Sequence, residues 1–271
     1  LTIKNNKRRF YLLFKNYMYI CTQLKRIIMN TIENTTIGEF VAKDFRTAAV
    51  FSKFGIDFCC KGNRTIEEAS EKKGADSQTI LAEIKTVLES KTDNSIDFKS
   101  WPLDLLADYI EKTHHRYVVE KTQVLLPFLS KLCKVHGAHH PELFEINELF
   151  IGCSGELAQH MKKEELILFP FIKKMVEATL TDKLISQPHF GTVENPIAMM
   201  KHEHDTEGER FRKIAMLTSN YVPPADACNT YKVTFAMLQE FEQDLHKHIH
   251  LENNILFPAA VALEKDFIAQ S

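Results

Sequence analysis

The chain has 271 residues, of which 44% are apolar and 26% are charged, and its formal net charge is -2. This near balance gives no sign of a nucleic acid or an anionic membrane surface as the main partner. Glycine and proline are scarce, at nine each, which favours a helix-rich, all-α protein over a β-sandwich or barrel. The six cysteines form no CxxC pair, which predicts reduced thiols and a cytoplasmic location.

Residues 1–28 differ from the rest of the chain because they contain seven basic residues and no acidic one. Their apolar runs are too short to span a bilayer, and no small-residue cleavage site follows them. We interpret residues 1–28 as upstream sequence, with translation starting at Met29.

Residues 30–88 predict a small domain of short helices. Thr36 with Glu39, and Thr65 with Glu68, have the spacing of helix capping boxes. Between them lies "FGIDFCCKGN", in which the adjacent Cys59 and Cys60 stand in a turn between glycines. This placement predicts reachable thiols. The polar residues 89–101 read as a linker to the next domain.

Four long amphipathic segments follow, at about 102–135, 143–178, 192–219 and 228–264. The connections between them are short and loop-like, and no β-type alternation competes with the helical pattern. Helices of this length with short connections predict an antiparallel four-helix bundle over residues 102–265. On this pattern alone, a purely structural bundle without a metal stays open.

An eleven-residue box occurs twice in the bundle, as "HMKKEELILFP" from His160 and as "HIHLENNILFP" from His248. Residues four apart share a helix face, so His160 points the same way as Glu164, and His248 the same way as Glu252. Apolar neighbours place both pairs on the stripe that faces the core. A buried ionised Glu is costly unless compensated, so two identical pairs favour a shared ligand over two separate polar contacts.

Each box has a histidine upstream on the preceding helix. His204 lies 44 residues before His248, and His115 lies 45 residues before His160. The apolar pattern around the adjacent His114 mildly favours that residue over His115. Four imidazoles and two bridging carboxylates suit a dinuclear iron or manganese site. The HExxH signature of zinc proteases is absent.

The motifs together resemble a known family. "GIDFCCKG", "THHRY" with "KVHG" after it, "HMKKEELILFP", "EHDTEG" and "HIHLENNILFP" cover nearly all of residues 30–260 in order. The second half resembles a hemerythrin-type bundle. The whole resembles the iron–sulfur cluster repair di-iron proteins, also called regulators of cell morphogenesis and NO signalling. This resemblance implies two irons bridged by both glutamates and bound by four histidines, with His115 preferred to His114: His115, His160, Glu164, His204, His248 and Glu252.

The resemblance also implies a function. It predicts repair of iron–sulfur clusters damaged by oxidative or nitrosative stress, through iron donation or NO handling, with damaged iron–sulfur proteins as partners and NO or O₂ as small ligands. The alternative is a hemerythrin-like carrier or sensor of O₂ or NO without repair activity. Whether the chain is an enzyme, and whether it forms a homodimer, stays open.

The remaining histidines and cysteines receive simpler predictions. The resemblance implies that Cys59 and Cys60 form a redox or iron-handling element, whereas the alternative interpretation is a pair of small packing residues. Cys133, Cys153 and Cys228 are predicted to be packing residues. Solvent exposure is predicted for seven of the eight histidines outside the ligand set, all but His114: His136, His139, His140, His189, His202, His246 and His250.

Overall fold

The computed structural model describes residues 34–90, 96–181 and 185–268. The predicted leader, the start at Met29 and part of the predicted linker lie outside the described residues. The chain divides into two compact units. One combines residues 34–57 with 62–90, and the other combines Phe58–Lys61 with residues 96–268.

The first unit is a set of short helices. They are α1 (Ile37–Lys43), α2 (Thr47–Lys53), α3 (Ile66–Lys73) and α4 (Ser77–Glu89). Both predicted capping boxes are confirmed. The side chains of Thr36 and Thr65 each accept from the backbone amide of the glutamate three residues on, and the side chain of that glutamate accepts from the threonine backbone amide. These caps satisfy amide groups that the first helical turn leaves unpaired. The apolar faces meet in a core: Ile37, Phe51, Ile80 and Ile84.

The second unit contains four long helical stretches, and three of them are divided by a π-helical turn. The first runs through α5 (Leu103–Tyr109), a π turn (Ile110–His115) and α6 (Arg116–His136). The second runs through α7 (Glu142–Lys163), a π turn (Glu164–Leu168) and α8 (Phe169–Thr181). The third is α9 (Glu194–Leu217). The fourth runs through α10 (Asn229–Leu251), a π turn (Glu252–Leu256) and α11 (Phe257–Ile268).

Side-chain contacts show that neighbouring stretches run antiparallel. The end of the first lies near the start of the second, since the Cys133 thiol donates to the Leu143 carbonyl at 3.2 Å. The start of the third lies near the end of the fourth, because the Val193 amide donates to Glu264 at 3.0 Å. In the core of this unit the Phe241 ring packs against two other rings, at centroid distances of 5.3 Å from Phe150 and 5.6 Å from Phe211. The predicted all-α fold with an antiparallel bundle is therefore confirmed.

The described residues form no β-sheet, and the pairing of Thr36 with Thr65 is an isolated bridge. Within residues 34–90, 96–181 and 185–268, no helix has the length and apolarity that a membrane span needs.

Candidate metal centre

The two repeated boxes change helix type at their glutamates. The Phe169 amide donates to the Glu164 carbonyl, and the Phe257 amide donates to the Glu252 carbonyl. Each bond spans five residues instead of the four of an α-helix, which widens the turn. The proline that ends each box has no N–H with which to continue the α-helical pattern. Both glutamates consequently lie at the start of a π turn, a feature that is frequent at functional sites.

Four histidines and two glutamates meet in the bundle core, and each of them is at most 2% exposed. Their ligand atoms form two groups, within each of which all atoms lie inside 4.8 Å of one another. Both glutamates belong to both groups, whereas each histidine belongs to one. We name them the first group (His115, His248 with Glu164, Glu252) and the second group (His160, His204 with Glu164, Glu252).

The distances within the groups show how the carboxylates are shared. The Glu164 Oε2 atom lies 3.4 Å from His115 Nε2 and 3.3 Å from His160 Nε2. Glu252 instead uses one oxygen for each histidine, with Oε1 3.0 Å from His248 Nε2 and Oε2 3.1 Å from His204 Nε2. Each carboxylate therefore lies between one histidine of the first group and one of the second.

Three of the four histidines are oriented by a bond at the far side of the ring. His115 Nδ1 lies 2.8 Å from Glu165 Oε1, and His160 Nδ1 lies 2.8 Å from Glu203 Oε2. His204 Nδ1 lies 3.0 Å from Asn253 Oδ1. An acceptor at Nδ1 keeps the proton there and directs the Nε2 lone pair to the centre, as metal-binding histidines require.

The charges of these groups depend on one another. Burial and the charge of Glu252 raise the pKa of Glu164, but His160 and His115 outweigh them and leave it below its usual value. Burial also raises the pKa of Glu252, yet His248 and His204 bring it well below its usual value. Ionised carboxylates in this core thus need nearby positive charge, which protons or a cation can supply.

Burial and the nearby carboxylates also shift the pKa values of the imidazoles, in opposite directions. Burial lowers the pKa of His160, but the Glu164 carboxylate outweighs burial and raises that pKa to about 10. His248 differs, because burial dominates and its pKa falls below the usual value. A divalent cation would take the place of the protons that the carboxylates otherwise demand.

Several buried atoms at the centre fit a bound cation. Within the part of the chain that the structure describes, both oxygens of Glu164, Oε2 of Glu252 and Nε2 of His115 have no hydrogen-bond partner. His160 Nε2 and His204 Nε2 lie only 3.1 Å apart, which requires a proton or a cation between their lone pairs. Buried polar atoms are normally paired, so these atoms together form a donor set that suits a transition metal.

A small cavity of about 70 Å³, with mostly polar and charged residues around it, adjoins the second group. That volume holds more than one water-sized molecule. It gives small ligands a place beside His160 and His204. Its other lining residues are Glu156, Leu157, Gln159, Lys163, Glu203 and Glu207.

Comparison with known proteins places the chain in a family. Residues 106–260 match the hemerythrin HHE cation binding domain, and residues 33–88 match ScdA_N, a domain of unknown function (DUF542). The iron-sulfur cluster repair protein ScdA of Staphylococcus haemolyticus (strain JCSC1435) is 32% identical over 221 residues, which is 82% of this chain and 95% of ScdA. The iron-sulfur cluster repair protein YtfE of Musicola paradisiaca (strain Ech703) is 33% identical over 226 residues, covering 83% and 96% of the two chains. YtfE of Enterobacter sp. (strain 638) is 34% identical over 228 residues, covering 84% and 97%.

The chain belongs to the iron–sulfur cluster repair protein family. The resemblance predicted from the motifs is thus confirmed, and the bundle that carries the two groups is this family's hemerythrin-like cation-binding domain.

The choice between His114 and His115 has a structural explanation. Both side chains are buried, at 1% and 2% exposure, because the π turn Ile110–His115 shifts the helical pattern by one residue. His115 joins the first group. His114 instead bonds Asp244 Oδ1 at 2.9 Å and stacks on the His248 ring at a centroid distance of 5.8 Å.

Some simpler sequence predictions were wrong. His250 is buried instead of exposed, and burial lowers its pKa to about 3. It lies against Phe58 and bonds Asn254, which are partners that helix periodicity does not reveal. Cys228 is exposed instead of packed, and its sulfur lies 3.3 Å from His136 Nε2. His202 is exposed, as predicted.

The paired cysteines lie beside the second group, in the same compact unit. Cys59 is buried and Cys60 is half-buried, so the prediction of two reachable thiols was wrong for Cys59. Their sulfurs are 3.7 Å apart, which is too far for a disulfide bond. The Cys60 thiol donates to the backbone carbonyl of His204 at 3.4 Å. This proximity was not foreseen, because the two residues are 144 positions apart.

Proposed function

We propose that the chain binds two iron ions, one in each group, with Glu164 and Glu252 bridging them. The sharing of both carboxylates by two sets of buried histidines is the observation that supports this proposal most strongly. Four neutral imidazoles and two carboxylates contribute two negative charges, so two ferrous ions keep a net positive charge. Six protein ligands shared by two ions also leave open coordination positions. NO, O₂ or water can bind at these positions.

The surrounding residues orient the histidines of the proposed site. Glu165 and Glu203 accept from the Nδ1 protons of His115 and His160, which keeps their Nε2 lone pairs inward. The hydrogen bond from His160 lowers the pKa of Glu203 to about 2, so Glu203 stays ionised. Lys163, which pairs with Glu203, lines the cavity beside the second group. Small ligands can therefore approach the second group through polar surroundings.

We further propose that this chain, like the relatives named iron-sulfur cluster repair proteins, restores damaged iron–sulfur clusters. Its partners would be the damaged proteins, and NO or O₂ would be small ligands. The irons supply exchangeable ferrous iron and a binding place for NO when bound. Cys59 and Cys60 would take part as a redox or iron-handling element, a role that their position beside the second group supports.

The test is reactivation of a purified [4Fe–4S] dehydratase whose cluster has been damaged by NO or by O₂. Iron-loaded protein, handled without oxygen, should restore dehydratase activity faster than an equal amount of free ferrous iron. Glu164→Ala should abolish this effect, because it removes a ligand of both irons. Glu177→Ala is the matched control, since Glu177 is an exposed carboxylate on the same helical stretch.

A second arm examines the cysteines. A Cys59→Ser, Cys60→Ser double variant should retain its iron and its absorption spectrum but fail to reactivate the dehydratase. Reversible binding of O₂ or NO without any reactivation by the unaltered chain would instead support a carrier or sensor. Full reactivation by the double variant would reduce the cysteines to packing residues.

A further inference from the structure

The segment Phe58–Lys61 is attached to the second repeated box by two adjacent asparagines. Asn253 Nδ2 donates to the Cys59 carbonyl at 3.2 Å, and Asn254 Nδ2 donates to the Phe58 carbonyl at 3.1 Å. The Cys60 thiol adds a contact to the backbone of His204. All of these residues belong to one compact unit.

The Asn253 amide can satisfy its partners in one orientation. The Cys59 carbonyl is an acceptor, so it must face the NH₂ group of Asn253. The Asn253 Oδ1 atom then faces His204 Nδ1, 3.0 Å away, and Nδ1 must carry the proton. The Nε2 lone pair of His204 is thereby free to bind a cation in the second group, where Glu252 Oε2 lies 3.1 Å away.

We propose that Asn253 is a positioning residue that couples the Cys59–Cys60 segment to the metal ligand His204. The Cys59 carbonyl fixes the orientation of the amide, and the amide fixes the tautomer of His204. This inference rests on the proposed metal site, and it adds a way in which the cysteine segment and the second group affect each other.

The first repeated box shows why the cysteine segment is coupled to the second group and not to the first. Glu165 occupies in the first box the position that Asn253 occupies in the second, and it likewise accepts from a histidine Nδ1. A carboxylate has no proton to donate at the same time, so it cannot bond a backbone carbonyl. Asn253 can do both, and the cysteine segment is accordingly connected to the second group.

Coupling of this kind is reciprocal. Metal bound by His204 should hold Asn253 and the segment in place, and displacement of the segment should weaken the metal at His204 by the same factor. Alkylation of Cys60 by iodoacetamide measures this directly, with the Cys60 peptide followed by mass spectrometry. Cobalt(II) replaces iron in the assay, so neither iron redox chemistry nor repair enters the result.

Cobalt loading of the unaltered protein should slow Cys60 alkylation by about fivefold or more. Asn253→Asp should still load cobalt fully at a saturating concentration, because the carboxylate accepts from His204 Nδ1, but cobalt should no longer slow alkylation. Asn254→Asp is the matched control, since it makes the same chemical change at the neighbouring anchor. Alkylation of this control should be faster in both states while retaining the slowing by cobalt.

Three results would overturn the proposal. They are an absence of protection in the unaltered protein, equal protection in Asn253→Asp, and loss of cobalt binding from Asn253→Asp. A protein that shows the coupling but does not reactivate a damaged cluster would contradict the repair function and leave this inference intact. A protein that repairs clusters without showing the coupling would overturn this inference and leave the proposed repair function intact.

Discussion

The two repeated boxes occupy equivalent positions in the bundle, yet they differ at the residue that follows the shared glutamate. In the first box Glu165 holds His115, and in the second Asn253 holds His204. Both satisfy the same need, which is an acceptor for an imidazole Nδ1 proton. The first does so with a charge and the second with an amide that also bonds Cys59. The comparison teaches that both boxes provide a glutamate shared by the two groups, whereas the residues that support the histidines are specialised.

We expect the largest effect from changes to the two glutamates that both groups share. Glu164→Ala or Glu252→Ala removes a carboxylate that both groups share, so either variant should lose most of the metal from both positions. Metal analysis of protein purified without oxygen measures this loss. Full occupancy in both variants would show that the glutamates do not bridge.

Changing one histidine should affect one group. His115→Ala should lower metal affinity in the first group, because His115 belongs to that group alone. His114→Ala should keep the metal but destabilise the fold by about 2 kcal/mol or more, since it removes a buried side chain and its bond to Asp244. Metal titration and urea unfolding separate the two outcomes. The reverse pattern would make His114 the ligand.

The charge at the supporting position gives a smaller effect. Glu165→Gln keeps an acceptor for His115 Nδ1 but removes the negative charge, which makes the first box resemble the second. Metal affinity at the first group should fall by roughly tenfold, which is the lower end for changes beside a metal ligand. A competition titration with a chelating dye measures the change. Glu177→Gln, on the same helical stretch, is the control and should leave the affinity unaltered.

A half-buried carboxyl away from the site, that of Glu242, gives the smallest effect and a contrast to the shared glutamates. Burial raises the pKa of Glu242 to about 7, whereas an unfolded glutamate titrates near 4.5. The folded chain therefore holds a proton that the unfolded chain has lost, and stability should fall as the pH rises from 4.5 to 7. Glu242→Gln should remove roughly 1–2 kcal/mol of this loss.

Thermal unfolding of metal-free protein at pH 5 and pH 8 checks this prediction. The variant and the unaltered chain should differ little at pH 5, and the variant should be more stable at pH 8. An equal difference at both pH values would mean that Glu242 does not hold its proton in the folded chain.

Helix periodicity and the doubled box were sufficient to predict the bundle and five of the six residues that the structure brings together, whereas His115 was preferred only through the family resemblance. They failed where the helix is not α-helical. The π turn ending at His115 reversed the apparent preference between His114 and His115. Pro170 and Pro258 were visible signals for the other two π turns, because proline interrupts the α-helical bonds.

The supporting residues could not be predicted from the sequence. Glu203 stands beside His204 in the sequence but accepts from His160 on another helix. Asn253 acts on His204, which is 49 positions away, and on Cys59, which is 194 positions away. Such roles depend on which helix faces cross each other, and periodicity within one helix contains no information about that.

The claim that two metal ions share Glu164 and Glu252 is tested most directly by iron content combined with Mössbauer spectroscopy of protein purified without oxygen. The two groups predict about two irons per chain, with spins coupled through the shared carboxylates. One iron per chain, two magnetically independent irons, or zinc as the native metal would contradict the claim.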